Sequence, residues 1–166
     1  MSVSPRVASH LRKSGVRYDL IAHPYALTSL SIARAANVPA EKVAKAVIVR
    51  DGDRDCMCVI PANHRLMLYW LDECLNGDFY LVSEAELAEL FDDCEHGAVP
   101  VLGQVYGMQV VWDTALVLED DLYFESGDHR HLVHLEREAI TALVGKQRHE
   151  LISTPDSHSS EWMIIH

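Results

Sequence analysis

Apolar and polar positions along the chain switch repeatedly between a helical and a strand period. Pro5 to Lys13 predicts a short helix with proline in its first turn and Gly15 after its end. Val16 to Ala22 reads as a strand, broken by His23-Pro24 because the residue before proline is pushed out of the helical region. Leu27 to Asn37 predicts a helix packed through Leu30, Ala33 and the Ala35-Ala36 pair, and Pro39 opens a further helical turn. Ala46 to Arg50 and Cys56 to Pro61 then read as two strands of a hairpin around Asp51-Gly52-Asp53. Residues 65–76 predict a helix ending before Gly77, and Phe79 to Val82 a short strand. Ser83-Glu84-Ala85-Glu86 has the capping-box spacing, ahead of a stripe of Leu87, Leu90 and Phe91. A loop from Gly97 to Gly103 follows. Strands are expected at 109–112, 116–118, 121–125 and 131–135, and a helix at 136–145. Ser153 to Ser160 reads as a mobile polar stretch, and Trp162 to Ile165 as an apolar end.

Strands outnumber helices and are joined partly by hairpins and partly by helices. The expected fold class is therefore α+β: a single compact domain with a mixed, largely antiparallel sheet flanked by helices. The 166 residues suffice for a sizeable core without a disulfide or metal staple. We expect the domain to occupy residues 1–150 and a C-terminal tail residues 151–166. No apolar run approaches the length of a membrane span, and the first residues lack the apolar centre of a signal peptide, which predicts a cytoplasmic protein without a membrane partner.

The formal net charge of -11 argues against a broad nucleic-acid surface, DNA included. Its distribution changes that picture. Residues 1–50 hold eight basic side chains against Asp19 and Glu41, a balance of +6, while the remainder carries -17. Such asymmetry fits a local polyanion contact, or it is dispersed on folding.

Four places carry candidate chemistry. Lys45, at the entrance to an apolar strand, either snorkels from the sheet edge or aims its ammonium into a cleft. The Gly97–Gly103 loop either is a tight connection or holds amides, stiffened by Pro100, as an oxyanion site. Ser126-Gly127-Asp128-His129 is a hairpin turn or places an imidazole against a substrate. His23, with Thr28 and Ser29, caps the second helix or lines a pocket. His129, His131 and His134 are residue types that bind zinc, but strand alternation sends His134 to the opposite face, so no metal is expected. Cys56, Cys58, Cys74 and Cys94 form no C-x-x-C pattern and read as reduced thiols. No phosphate-binding loop, dinucleotide fingerprint or Gly-x-Ser-x-Gly elbow is present, so neither a cofactor nor a covalent mechanism is expected.

In order along the chain, several of these segments resemble a family. His23-Pro24, Ser29, Ala33-Arg34-Ala35-Ala36, Val43-Ala44-Lys45-Ala46-Val47 and Val59-Ile60-Pro61-Ala62 resemble the YbaK-type aminoacyl-tRNA deacylases, which include the editing domain associated with prolyl-tRNA synthetases. Ser83 to Leu87, Phe91 to Pro100, Leu102-Gly103, Tyr106-Gly107 and Tyr123 to His129 extend the resemblance over roughly residues 20–145. It implies hydrolysis of the ester joining a wrongly chosen amino acid to transfer RNA, in the service of translation fidelity. It implies Lys45 as the functional lysine, with Gly97 and Gly103 bounding a substrate loop of Ala98, Val99, Pro100 and Val101. His23, Ser29, Ala46, Gly127 and His129 are the further substrate-binding positions. The implied partners are the aminoacylated acceptor end of a transfer RNA and, beyond it, an aminoacyl-tRNA synthetase. The family commonly has two prolines in the loop, whereas here Pro100 is followed by Val101. The alternatives are a non-catalytic module that docks aminoacyl-tRNA or a synthetase, and a metal-dependent hydrolase built on the histidine cluster.

Overall fold

The structure is a computed structural model and describes residues 3–156. Its centre is the hairpin of β2 (Val43–Asp51) and β3 (Arg54–Pro61), paired from Ala44↔Pro61 to Asp51↔Arg54. Gly52 turns the chain with φ 64°, a left-handed value at which side chains are strained. β2 starts three residues earlier than its apolar run suggests. Val43 and Ala44 are claimed by a parallel neighbour, β7 (Asp121–Glu125), after a single 3-10 turn at Ala40–Lys42.

The sheet extends outward on both sides. β1 (Asp19–Ala22) and β8 (His131–Glu136) lie beyond β7, while β6 (Gln109–Asp113) and β9 (Arg148–Glu150) lie beyond β3. A two-residue strand, β5 (Tyr80–Leu81), pairs with β2 at Val49 and Arg50. Pairings β2–β7, β3–β6 and β6–β9 are parallel and the rest antiparallel, so the sheet is mixed and mostly antiparallel. A second ribbon joins β4 (His64–Leu66) to β10 (Ser153–Pro155).

Side-chain alternation sorts the core into two faces. Ala44, Ile48, Met57, Val59, Val110, Trp112 and Phe124 pack on one side. They meet α1 (Pro5–Ser14), α4 (Glu84–Leu90), α5 (Thr114–Val117) and α6 (Arg137–Val144) through Val7, Leu11, Leu87, Leu116, Ile140 and Leu143. Val49, Cys56, Cys58, Ile60 and Val111 face α3 (Leu68–Leu75) on the other side, with Leu71 and Leu75. α2 (Ser29–Ala36) covers Val43 on that second face through Ala33. The buried, unpaired Cys56 and Cys58 thus share one face, as their spacing predicts.

The helix ends follow their sequence signals. Ser4 caps α1 through the Val7 amide, Pro5 occupies its first turn, and Gly15 closes it at φ 67°. Ser83 caps α4 through the Glu86 amide, but only half of the expected box forms. The Glu86 carboxylate accepts instead from the Ser83 hydroxyl and from Arg50. The complete capping box belongs to α2, where Thr28 and Ser31 exchange bonds.

Three expectations need correction. Residues 116–118 are not a strand: Asp113 accepts the Ala115 amide at 2.9 Å and starts α5 there. The helix expected from residue 65 begins at Leu68, because His64 to Leu66 pair with β10. For the same reason Ser153 to Pro155 are an ordered strand rather than a mobile stretch, and Ile152 is fully buried. The apolar end from Trp162 to Ile165, like residues 157–160, lies outside the described residues. Among the described residues, no helix is long and apolar enough to cross a membrane.

Candidate active site

Strand register places the chemistry on one row of the sheet. Lys45 pairs with Ile60 in β3, and the β3–β6 register carries the row on to Asp113. On the other side β2 and β7 pair only at Val43↔Tyr123 and Ala44↔Phe124, so Lys45 and Glu125 follow where the two strands stop pairing. Val43 and Tyr123 pack together on the face covered by α2, so alternation sets Lys45 and Glu125 on that same face. Ala46 points the other way and packs against the main core.

The Lys45 ammonium donates to the Ala62 carbonyl at 3.2 Å. Burial lowers its pKa from the ordinary lysine value, and Asp156 partly offsets that. Beside it, His64 is half-buried with Nδ1 2.8 Å from the Ser153 hydroxyl. Burial also pulls the His64 pKa down; Asp113 opposes that shift and Lys45 adds to it.

Glu125 and His129 form the second half of the site. Both are buried, with Glu125 Oε2 3.3 Å from His129 Nδ1. The contact does not meet hydrogen-bond geometry, and among the described residues Glu125 Oε1 and His129 Nδ1 have no hydrogen-bond partner. Burial, then Asp128 and Glu95, push the Glu125 pKa up to about 8. His129 Nε2 donates to the His96 carbonyl at 2.6 Å, which fixes the ring against the start of the glycine loop. A side chain at Gly97 would stand 3.7 Å from the His129 ring. His129 holds φ 60°, a left-handed conformation uncommon outside glycine that often marks a functional residue.

The turn before His129 is held by Asp128, whose carboxylate accepts from the amides of Arg130 and His131 and pairs with the His131 ring. Burial works against that charge, but these bonds outweigh it and leave the Asp128 pKa lowered. His23 lies beside the turn, its amide donating to the Arg130 carbonyl, and among the described residues its buried Nε2 has no hydrogen-bond partner. Tyr25 meets the His129 ring edge-on at 5.6 Å, and Arg130 lies over Tyr25.

The structure therefore gathers His23, His129 and Gly97, and places Lys45 on the adjoining row. Other expected positions are set back. Ser29 is the first residue of α2, while Thr28 does the capping. Ala98, Pro100 and Val101 are buried, Val99 packs against the main core, and the Ala98 amide is committed to the Glu95 carbonyl. Gly103 is buried, and a side chain there would approach Val110 to 2.9 Å, so packing explains its glycine. Gly127 holds φ 122°, and a side chain there would stand 3.1 Å from the Ser4 backbone nitrogen. The histidines separate: His131 pairs with Asp128, and His134 stacks on Tyr123 and meets Asp121. Among the described residues, no group of three or more His, Cys, Asp or Glu side chains is placed to hold a metal ion.

The charge asymmetry is partly cancelled on folding. Arg6 meets Asp92 and Asp93, Lys42 meets Asp121, and Arg50 meets Asp55 and Glu86. Sequence reasoning missed Glu125 and His64. Glu125 lies within the Tyr123 to His129 motif, where nothing local signals its burial, and the partners of His64 are remote in sequence.

Comparison with solved structures supports the fold. At 20% identity the hypothetical protein APE2540 superposes with a TM-score of 0.79, covering 90% of this chain and 99% of its own. A candidate trans-editing enzyme for prolyl tRNA synthetase gives 0.78 at 20% identity, covering 92% and 99%. A candidate signal transduction protein from Marinobacter aquaeolei VT8 gives 0.74 at 14%, and the match covers 90% of this chain but only 30% of that one. No curated protein matches. The model of the aminoacyl-tRNA editing domain matches residues 23–143, a span that takes in Lys45, the glycine loop, Glu125 and His129, and the chain belongs to that family.

Proposed function

We propose that the protein is a trans-editing hydrolase that deacylates mischarged aminoacyl-tRNA in the cytoplasm. The observation that carries this reading is Lys45, whose partly desolvated ammonium stands where β2 and β7 stop pairing, on the face that also bears Glu125. A fixed cation in a partly dehydrated site stabilises developing negative charge far better than one in water. The ammonium would hold either the ester carbonyl oxygen or the terminal phosphate.

A water attacks the ester carbonyl carbon. Negative charge develops on the carbonyl oxygen, where Lys45 and loop amides beside Gly97 stabilise it. With the Ala98 amide already bonded, that task falls to its neighbours, and the His129–His96 bond holds this end of the loop in place. Collapse of the intermediate breaks the bond to the ribose oxygen and releases the amino acid. The buried atoms His23 Nε2, Glu125 Oε1 and His129 Nδ1, each without a hydrogen-bond partner among the described residues, suit recognition of the polar α-amino end of the substrate. We take residues 1–150 as the editing domain, with Ile152 to Pro155 packed onto it.

A panel of misacylated transfer RNAs, followed by release of labelled amino acid with and without chelator, tests this. Chelator-insensitive release from at least one substrate is expected. Binding without release would favour the non-catalytic module, and chelator-sensitive release the metal hydrolase.

A further inference from the structure

The Lys45 row ends in a polar relay built on Asp113. Asp113 is fully buried at the end of β6. Its Oδ1 accepts the Ala115 amide, and its Oδ2 accepts the Ile152 amide at 3.1 Å and the Ser153 hydroxyl at 2.7 Å. The Ser153 hydroxyl has a single proton, and its bond to Asp113 Oδ2 uses it. Ser153 Oγ must then accept from His64, 2.8 Å away, which puts the imidazole proton on Nδ1. Nε2 is left with its lone pair.

The relay spans three elements distant in sequence, β4, β6 and β10, and the β4–β10 ribbon sets two of its members side by side. One strand separates Asp113 from Lys45, about 10 Å across the sheet. His64 lies within the field of both. The charged groups around it are Lys45 of β2, Asp113 of β6, Arg65 of its own strand and Asp156 beyond β10, the last interacting with Lys45.

Building on the deacylase reading, we infer that His64 is the general base, held in the Nδ1–H tautomer by Ser153 and Asp113 so that Nε2 takes a proton from the attacking water. The bond between water oxygen and carbonyl carbon forms as the water proton passes to Nε2. As the carbon–oxygen bond to the ribose breaks, the imidazolium returns that proton to the departing ribose oxygen. The products are the free amino acid and a transfer RNA with its terminal hydroxyl restored, and His64 ends neutral.

The test is single-turnover deacylation across pH 5 to 8 by the full chain and by His64→Ala, His64→Gln and Ser153→Ala, with exogenous imidazole added to His64→Ala. A general base typically contributes about 100- to 10,000-fold. The wild type is expected to lose rate on acidification through a limb below about pH 6.5, since the lone pair must be free and the His64 pKa is lowered. Both His64 variants should lose at least about 100-fold together with that limb, and imidazole should restore at least tenfold to His64→Ala. Ser153→Ala should lose less and keep the limb. Activity of His64→Ala within threefold of wild type overturns the inference, and so does a loss that leaves the limb in place and ignores imidazole. If the wild type releases no amino acid from any substrate, the deacylase reading itself has failed, a result distinct from an active wild type with an equally active His64→Ala.

Discussion

Glu125→Gln isolates one electrostatic cost of the site. Glu125 is only 6% exposed, and its carboxyl pKa is moved from 4.5 to about 8 by burial, with Asp128 and Glu95 adding to it. Below pH 4.5 the side chain is protonated both folded and unfolded, and its full contribution to stability is present. Between 4.5 and about 8 the unfolded chain ionises while the folded one does not, so wild-type stability falls as pH rises. At about 1.4 kcal/mol per unit the shift sets a ceiling of about 5 kcal/mol. Glutamine keeps the shape and never ionises. Urea unfolding of both proteins at half-unit steps from pH 4 to 9 gives the difference in unfolding free energy directly. The variant should gain on the wild type through that window and level off above it. Parallel profiles would show that Glu125 ionises in the folded protein as readily as in water, and the argument from burial would be wrong.

Other substitutions probe packing and positioning. Gly127→Ala sets a Cβ 3.1 Å from the Ser4 nitrogen at φ 122°, and should cost about 1–3 kcal/mol in urea unfolding by pushing the start of α1 off the turn. Gly103→Ala crowds Val110, Met108 and Met57, and should cost about 1–3 kcal/mol by the same measurement. Leu11→Ala empties a fully buried position under α1 and should cost about 2–5 kcal/mol. His129→Asn retains a residue that tolerates the left-handed backbone but loses the ring bond to His96. It should change the rate or amino-acid preference of deacylation about tenfold or more with a small change in melting temperature. An effect confined to melting would make His129 a turn residue only.

Local signals carried most of the fold into the sequence. The β2–β3 hairpin was legible because alternation and Asp-Gly turn chemistry agree, and α1 because its cap, proline and glycine fall at the right spacing. Residues 116–118 misled because an apolar Leu-Val-Leu run has no period of its own; the Asp113 cap, three residues before Leu116, decides for helix. Ser153 to Pro155 read as polar and loose because their partner strand begins 89 residues away at His64. The same separation hid the relay. Asp113, His64 and Ser153 have no mutual spacing pattern; the pairing of β4 with β10 and the bonds from Ile152 and Ser153 to Asp113 bring them together. Lys45, Gly97 and His129 were legible as candidates because they fall within short motifs. The burial that distinguishes Glu125 comes from tertiary packing, which no local pattern records.

The account stands most directly on Lys45. Single-turnover release of amino acid from a susceptible aminoacyl-tRNA should be compared for the wild type, Lys45→Ala and Lys45→Arg, with circular dichroism melts of each. Lys45→Ala should lose at least about 100-fold, the scale expected for a charge-stabilising donor. Its fold should be retained, since Lys45 is partly exposed and its Nζ donates to the Ala62 carbonyl at 3.2 Å rather than anchoring the core. Lys45→Arg, with a cation of different shape, should recover only part of the rate. Wild-type rates in a folded Lys45→Ala protein would contradict the account.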